Sequence, residues 1–410
     1  MEYYDKVSQE YRDALLSRVY FPVIKVELMD YGENVFAELQ QDISAQDSGS
    51  ISVNYQQGVR RSCSLTLINI DGEYLPSLQS KIWINSKFKV YNGIRIPATY
   101  TYSEEDYYWF SQGVFVLTDP VANEDLSNRT ITLNGVDKFG MLGSETNFTQ
   151  TEGTYLIEAG TEIGEVIKTI LNENMGNGYP FDVATPIIDP TVAKNELPYE
   201  LKKAPDEYFA DIIIEMANMF DCDVFYDTNG RFNFMPTSLN NERLKDRLTI
   251  SGDDNASLWD YEDVFTDYGS LNNQYSFTEV YNMVTVVSTH PNYDTFEATV
   301  SNNLPSSPVA IQVIGKKRKY IESSQCYNQD TVNNYALYQL RKLSIVQQSL
   351  TFNSIIIPHL DVNLPITIQD KHFGYEKEKY IIQSLSFPIS STGQVSVTAS
   401  NVANIPYLEY

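Results

Sequence analysis

Histidine and cysteine are nearly absent from this chain, 3 of each in 410 residues. Cys63, Cys222 and Cys326 stand far apart among strand-like residues. They offer neither a disulfide framework nor a C-x-x-C metal pair, and buried free thiols are expected. His290, His359 and His372 are isolated, so H-E-x-x-H zinc chemistry and a His-based nucleophile triad find no local support. No Gly-rich phosphate loop occurs. The expectation is therefore no catalytic residue, no cofactor-binding residue and no metal ligand. Basic residues are scarce as well: 29 against 54 acidic ones give a net charge of −25. Unspecific attraction to nucleic acid or anionic lipid is disfavoured at that balance. Long apolar runs are missing, since no stretch approaches the roughly 18 residues of a spanning helix. The N-terminus MEYYDKVSQEYRDALLSRVY is charged throughout and has no apolar signal region. A protein with no membrane segment, made in a cytoplasm, is expected.

What is abundant points to strands. Aromatic residues make up 13% of the chain, led by 30 Tyr, and β-branched residues are frequent, which suits half-buried strands. Residues Tyr4–Arg18 read as a short amphipathic helix with Val7, Tyr11 and Leu15 near one face, leading into FPVIKVELM. GSISVNY, SCSLTLINI, KFKVYNGI, GVFVLT and TITLNG follow, separated by Gly, Asn and Asp turns, a spacing that suits a barrel or sandwich.

The period then changes. Thr161 reads as the N-cap of a helix with Ile163, Val166, Ile167, Ile170 and Leu171 in one stripe. A second helix is expected after Pro205, with Asp206 and Glu207 in its first turn and Phe209, Ile212, Ile213, Met216 and Phe220 buried. CDVFYDTNGRFNFMP reads as a hairpin with a type I′ turn at Asn229-Gly230, setting Phe225 opposite Phe234 and Val224 opposite Met235. Strand patterns resume with NMVTVVST, SPVAIQVIG, SLTFNSIII, LPITIQD, KYIIQSLSF and GQVSVTAS, interrupted by a helix at about 329–346 carrying Val332, Ala336, Leu340 and Leu343. The fold class is mainly β with an α+β insert. Residues 1–150 form a β domain with a leading helix, 151–252 an α+β domain of two helices and a hairpin, and 253–410 a second β domain with one helix. Phe115–Gly135 and Tyr380–Ser400 echo one another as strand, polar connection and strand of equal length.

Three further patterns bear on function. Asp227-Thr228-Asn229-Gly230 looks like the middle of a calcium loop, but Phe225 occupies the acidic first position and no Glu lies near the last, so the hairpin reading is preferred. Glu104-Glu105-Asp106 among Tyr100, Tyr102, Tyr107, Tyr108 and Trp109 offers a sugar-binding ledge as an alternative to a solvated loop entering a buried strand. GKKRKY (315–320) is the one basic run; it reads as a solvated face or as a surface meeting acidic groups on a neighbouring subunit.

In order and spacing, several segments together resemble the baseplate hub family of tailed bacteriophages. That family includes the N-terminal part of tail-associated lysins and is similar to the base of the type VI secretion spike. The segments are YRDALLSRVYFPVIKVEL, GSISVNYQQGVRRSCSLTLINIDGEYLP, KVYNGI, WFSQGVFVLTDP with TITLNGVDKFGML, APDEYFADIIIEMANMFDCDVFYDTNGRFNF, NNLPSSPVAIQVIG, LDVNLPITIQD and KYIIQSLSF. The resemblance implies a non-enzymatic virion protein, a homotrimer whose subunits each carry two related tube-like β-barrel domains flanking the helix-plus-hairpin domain. Six barrels would match the hexameric tail tube. Implied partners are the tail tube or distal tail protein, a spike or tip protein and other baseplate proteins, with DNA passing through the channel unbound. It also implies that Asp137-Lys138-Phe139-Gly140 closes the first barrel, Gly135 and Gly140 permitting tight turns and Phe139 and Leu142 packing beneath. Because the chain stops at NIPYLEY, cell-wall cutting is expected to fall to other polypeptides. The rival reading, resting on Tyr100–Trp109, is a cell-wall glycan-binding or glycan-hydrolysing tail tip protein.

Overall fold

Strand β8 (Arg129–Asp137) shows how this chain builds sheet: Ile131, Leu133, Gly135 and Asp137 are buried while the residues between them face outward, the period of two that a half-buried strand requires. The computed structural model describes residues 11, 14–15, 21–39, 43–44, 48–78, 80–95, 107–124, 129–144, 154–173, 178–237, 259–261, 271–290, 292–370, 374–390 and 393–401. These residues are mainly β and divide into two compact units. Of the expected leading helix, Tyr11, Ala14 and Leu15 are helical and buried; its other residues lie outside the described set.

The first unit comprises 1–237, 354–362 and 384–397. Its strands are β1 (Pro22–Met29), β2 (Val35–Glu38), β3 (Gly49–Asn54), β4 (Arg61–Ile68), β5 (Lys87–Arg95), β6 (Tyr107–Leu117), β7 (Val121–Glu124) and β8. They pair antiparallel in the order β2-β1-β5-β6-β8-β4-β3, with β7 also on β8. Residues Ser384–Pro388 of a late strand add to β3, with Phe387 opposite Ile51 and Leu385 opposite Val53. The late strand's apolar alternation thus completes a sheet begun more than three hundred residues earlier, which local pattern does not reveal. The expected ring does not close among the described residues. Among the described residues β2 pairs with β1 alone, after a register slip at Leu28/Met29, and Val35 and Phe36 are exposed, so it ends the described sheet as an edge strand.

The insert follows within the same unit: β9 (Tyr155–Ile157), α1 (Ile163–Leu171), β10 (Ile187–Ile188), β11 (Leu201–Lys203), α2 (Phe209–Met219), β12 (Cys222–Tyr226) and β13 (Phe232–Pro236). The α1 stripe is buried as the spacing requires, and each such aliphatic side chain contributes about 1.5–3 kcal/mol relative to exposure. Its cap differs from expectation. Thr161 carries its hydroxyl to Glu158 O at 2.8 Å and its carbonyl to Leu197 N at 3.0 Å, so it is engaged in strand-like pairing and Glu162 is the N-cap. The second helix begins later than the proline suggested. Glu207 folds back on the amide of Ala204 at 2.7 Å, and Asp211 accepts from Tyr208 N at 3.1 Å, which starts α2 at Phe209.

The hairpin register also differs by one residue. Val224 faces Phe234 and Phe225 faces Asn233. Asp227 N donates to Arg231 O and Gly230 N to Asp227 O, both at 3.0 Å, so three residues form the loop. Gly230 alone takes a positive φ, +74°, which is a type I turn with a glycine bulge in place of type I′. The cause is Asp227, whose Oδ1 accepts from Asn229 N and Arg231 N at 2.9 Å.

The second unit comprises 238–353, 363–383 and 398–410. Strands β16 (Met283–Ser288), β17 (Glu297–Ser301) and β18 (Arg318–Ser323) form a three-stranded sheet in the order β17-β16-β18, β16 and β18 being parallel. Helix α3 (Gln329–Leu343) covers one face through Val332, Ala336 and Leu340, packed on Val284, Val286 and Ala298. Asn328 caps it, its side chain accepting from Thr331 N at 2.8 Å. The unit's other strands are β14 (Trp259–Tyr261), β15 (Asn272–Ser276), β19 (Gln347–Ser354), β20 (Pro365–Asp370), β21 (Tyr375–Pro388, up to Gln383) and β22 (Val395–Asn401, from Thr398). β15 pairs with β19, and β20 with both β14 and β21. SPVAIQVIG, expected as a strand, is a loop and one helical turn at Ile311–Ile314. Asn302 ties the loop back on itself, reaching Ser307 Oγ at 2.9 Å and accepting from Leu304 N at 3.2 Å. Val313 and Ile314 are left exposed.

Candidate functional site

The Asp137-Lys138-Phe139-Gly140 step, where β8 ends, is the best-organised polar site of the first unit. Period two carries Asp137 inward behind Ile131, Leu133 and Gly135, so its carboxylate needs donors. Oδ2 accepts from the amides of Arg60 at 2.7 Å and Arg61 at 2.9 Å, and Oδ1 from Phe139 N at 3.0 Å. Burial pushes Asp137 up to about 6, against the pull of those three amides and of Arg61. A one-turn helix, Lys138–Leu142, follows, with Phe139 and Leu142 buried. Gly135 and Gly140 serve differently from expectation. Neither has a positive φ. Gly135 lies mid-strand where a Cβ would meet the Phe88 ring at 2.9 Å, so close packing rather than turning requires it.

Lys138 is fully buried, and four groups meet its ammonium. It lies 2.5 Å from Asp182 Oδ1 and 2.6 Å from Glu33 Oε1, donates to Gly230 O at 3.0 Å and stands 5.4 Å over the Tyr226 ring. Glu33 also binds Lys87, likewise fully buried, at 2.8 Å. Glu33 sits in the β1–β2 turn at φ +63°, an unusual conformation for a side chain with a Cβ. The turn is held by Asp30, which accepts from Asn34 N at 2.8 Å and whose carbonyl accepts from Glu33 N at 3.0 Å.

Two ammonium groups and two carboxylates thus balance. Burial raises Glu33, but Lys138 and Lys87 outweigh it and hold the carboxyl below its ordinary range. Asp182 faces one ammonium and no solvent, so burial wins and raises it despite Lys138. Burial lowers Lys87, opposed by Glu33, and burial raises Tyr226 strongly, reinforced by Asp182. Groups so enclosed do not exchange with a substrate; the arrangement fastens elements together.

What it fastens is the insert to the sheet. Asp182 and Gly230 come from the insert, Lys87 from β5, Glu33 from the β1–β2 turn and Lys138 from the turn of helix after β8. Beside them Ser111 Oγ donates to Thr228 O at 2.5 Å. The 55–60 loop grips β12 through Val224 N to Gln57 Oε1 at 2.7 Å and Gly58 N to Val224 O at 3.0 Å. Arg60 is sandwiched between Phe225, 3.9 Å from its ring centre, and Tyr55 at 4.8 Å. Arg61 bonds Asp361 at 2.5 Å and Gln112 donates to Pro358 O at 2.8 Å, which draws in the 354–362 segment. None of these charged partners was foreseen. The one available signal was the phase of β8, which puts an Asp on a buried face.

Several other residues singled out from sequence serve packing and turns. All three cysteines are buried free thiols. His359 Nδ1 lies 2.9 Å from Tyr11 Oη, His290 Nδ1 accepts from Asn292 N at 3.2 Å, and His372 lies outside the described residues. Asp227 spends its oxygens on its own turn. Tyr107 and Trp109 stack at 5.6 Å on β6, opposite Arg95 and Gly93; the ledge residues 100–106 lie outside the described set. Among the described residues, no group of three or more His, Cys, Asp or Glu side chains could hold a metal ion, and no helix is long and apolar enough to cross a membrane.

No protein-family model matches this sequence, and no curated protein matches it. Solved structures do. The 43 kDa tail protein of prophage MuSo2 from Shewanella oneidensis has TM-score 0.59 and 12% identity, over 93% of this chain and 99% of that one. The tail protein from Neisseria meningitidis MC58 has TM-score 0.60 and 10% identity, over 95% and 99%. A chain of the Francisella PdpA-VgrG complex has TM-score 0.55 and 11% identity, with 95% of this chain covering 59% of that one. At such identities the likeness is one of fold, carried by nearly the whole length. The neighbours so matched are tail proteins and a chain of a PdpA-VgrG complex, in keeping with the resemblance read from the sequence.

Proposed function

We propose that this chain is the structural hub of a bacteriophage tail baseplate. Three copies form a ring that joins the hexameric tail tube to a trimeric tip or spike, and DNA passes through without specific binding. The observation that carries this reading is the fold shared with two tail proteins, one of them from a prophage, across 93–95% of this chain and 99% of theirs. Two tube-like β domains per copy, at 1–150 and 253–410 around the 151–252 insert, would give six positions in three subunits, and a closed ring satisfies a repeated heterologous contact.

Chemistry supports the same reading. The buried ion network joins structural elements of the first unit, as a load-carrying structural part requires, and the chain acts without catalysis in this reading. A net charge of −25 suits a channel wall that must let phosphates slide, since each Lys or Arg contact would bind DNA through counterion release. Assembly takes place in the host cytoplasm, and the product resides in the virion tail with tube, spike and other baseplate proteins as partners. Multi-angle light scattering of the purified chain tests this: the reading requires a particle of three 46.7 kDa chains. A monomer at high concentration that is also missing from purified virions overturns it.

A further inference from the structure

The second unit carries a basic strand edge. β18 pairs with β16 along one edge, and among the described residues no strand flanks its other edge. The basic run falls here: Lys316 and Lys317 lead in, Arg318 and Lys319 begin the strand, and Tyr320 is 53% exposed. Lys317 Nζ donates to Phe277 O at 3.1 Å, which sets the cations beside a second exposed feature. Phe277 is 67% exposed and stacks on Tyr275, also exposed, with ring centres 6.5 Å apart.

Lysines on an edge strand ordinarily prevent edge-to-edge association. That explanation fails for a chain of charge −25, because acidic residues would repel other copies, whereas a cationic edge attracts them. Exposed aromatic rings are also what interface centres are enriched in. The same mixture would suit a nucleic acid, but the charge of the whole chain opposes approach of a polyanion. We infer that the β18 edge, with Tyr275 and Phe277 beside it, docks on an acidic surface of a second copy of this chain. The inference rests on the hub reading and names the surface through which the ring is joined.

The test uses the full chain. Self-association is followed by sedimentation velocity at 50 and 500 mM salt for wild type, Lys316→Glu/Lys317→Glu and the milder Lys316→Gln/Lys317→Gln. Carbodiimide coupling of mixed ¹⁴N and ¹⁵N chains then maps contacts between copies. The inference predicts association at least tenfold weaker in the Glu variant, an intermediate loss in the Gln variant, weakening by salt, and cross-links from Lys316, Lys317 or Lys319 to carboxylates of the other isotope. Trimers that persist unchanged in both variants, without such cross-links, overturn this inference and leave the hub reading intact. A wild-type chain that stays monomeric overturns this inference, and one that is also missing from purified virions overturns the hub reading as well. Retained self-association with variant-sensitive binding of a DNA oligonucleotide assigns the edge to nucleic acid and overturns it as well. If the Glu variant does not fold, the Gln variant and the cross-links decide.

Discussion

Lys138 Nζ stands 2.6 Å from Glu33 Oε1, joining the end of β8 to the turn between β1 and β2, and the same ammonium reaches Asp182 of the insert at 2.5 Å. One buried cation therefore holds two carboxylates from separate parts of the first unit.

Removing that cation strands Asp182 and leaves Glu33 with Lys87 alone. Lys138→Met should cost about 3–5 kcal/mol, the range for breaking a buried pair from one side, seen as a lower urea midpoint. The double variant Lys138→Met/Asp182→Leu should recover part of the loss, since one stranded charge goes with it. A single variant as stable as wild type would show that the network contributes nothing.

Asp137 gives a pH signature. Its folded pKa is raised, from 3.8 to about 6, so the folded state holds the proton more tightly than the unfolded one. Its contribution is fully present below about pH 4 and is lost as pH rises through about 6. The stability of wild type relative to Asp137→Asn should therefore fall by up to about 3 kcal/mol between pH 4 and 7. Urea titrations across that interval read it, and a gap that widens with pH contradicts it. Glu33 acts in the opposite sense. Its lowered pKa contributes stability above its ordinary value of 4.5 that is lost as pH falls through the folded value.

The hairpin tip separates backbone strain from contact. Gly230 has φ +74° and an added Cβ would lie 2.7 Å from Val114 Cγ2, whereas Gly160 has φ +83° and open space around it. Gly160→Ala should cost about 1 kcal/mol from conformation alone. Gly230→Ala should cost about 1–3 kcal/mol more as the loop shifts off β6 and Lys138 loses its carbonyl. Equal thermal midpoints for the two variants would show that the hairpin is not docked there.

Trp109 distinguishes the two functional readings. Its ring lies against Gly93, where a Cβ would come within 2.6 Å of Trp109 Cε3. As a packing residue its change to Ala should cost about 2 kcal/mol and leave any association with host cell walls untouched. Binding to cell walls abolished without loss of folding would favour the glycan reading.

Where the fold repeats a simple period, the residues announce it: Ile131, Leu133 and Asp137 on one face of β8, Ile163 to Leu171 along α1, Val332, Ala336 and Leu340 along α3. Local pattern fails where a side chain redirects the backbone, as Asp227 lengthens the hairpin loop and Asn302 curls SPVAIQVIG away from a strand. It fails again where partners are remote in sequence. Nothing in the local sequence links Glu33, Lys87, Lys138 and Asp182, and only tertiary structure brings them together. The pairing of Phe387 with Ile51 is hidden for the same reason.

A symmetry-resolved image of the intact tail tip tests the central proposal most directly. The account predicts three copies of this chain encircling the channel between tube and tip, each contributing two sheet-built domains to a ring of six. Six copies in that ring, one such domain per copy, or a tip without this chain would contradict it.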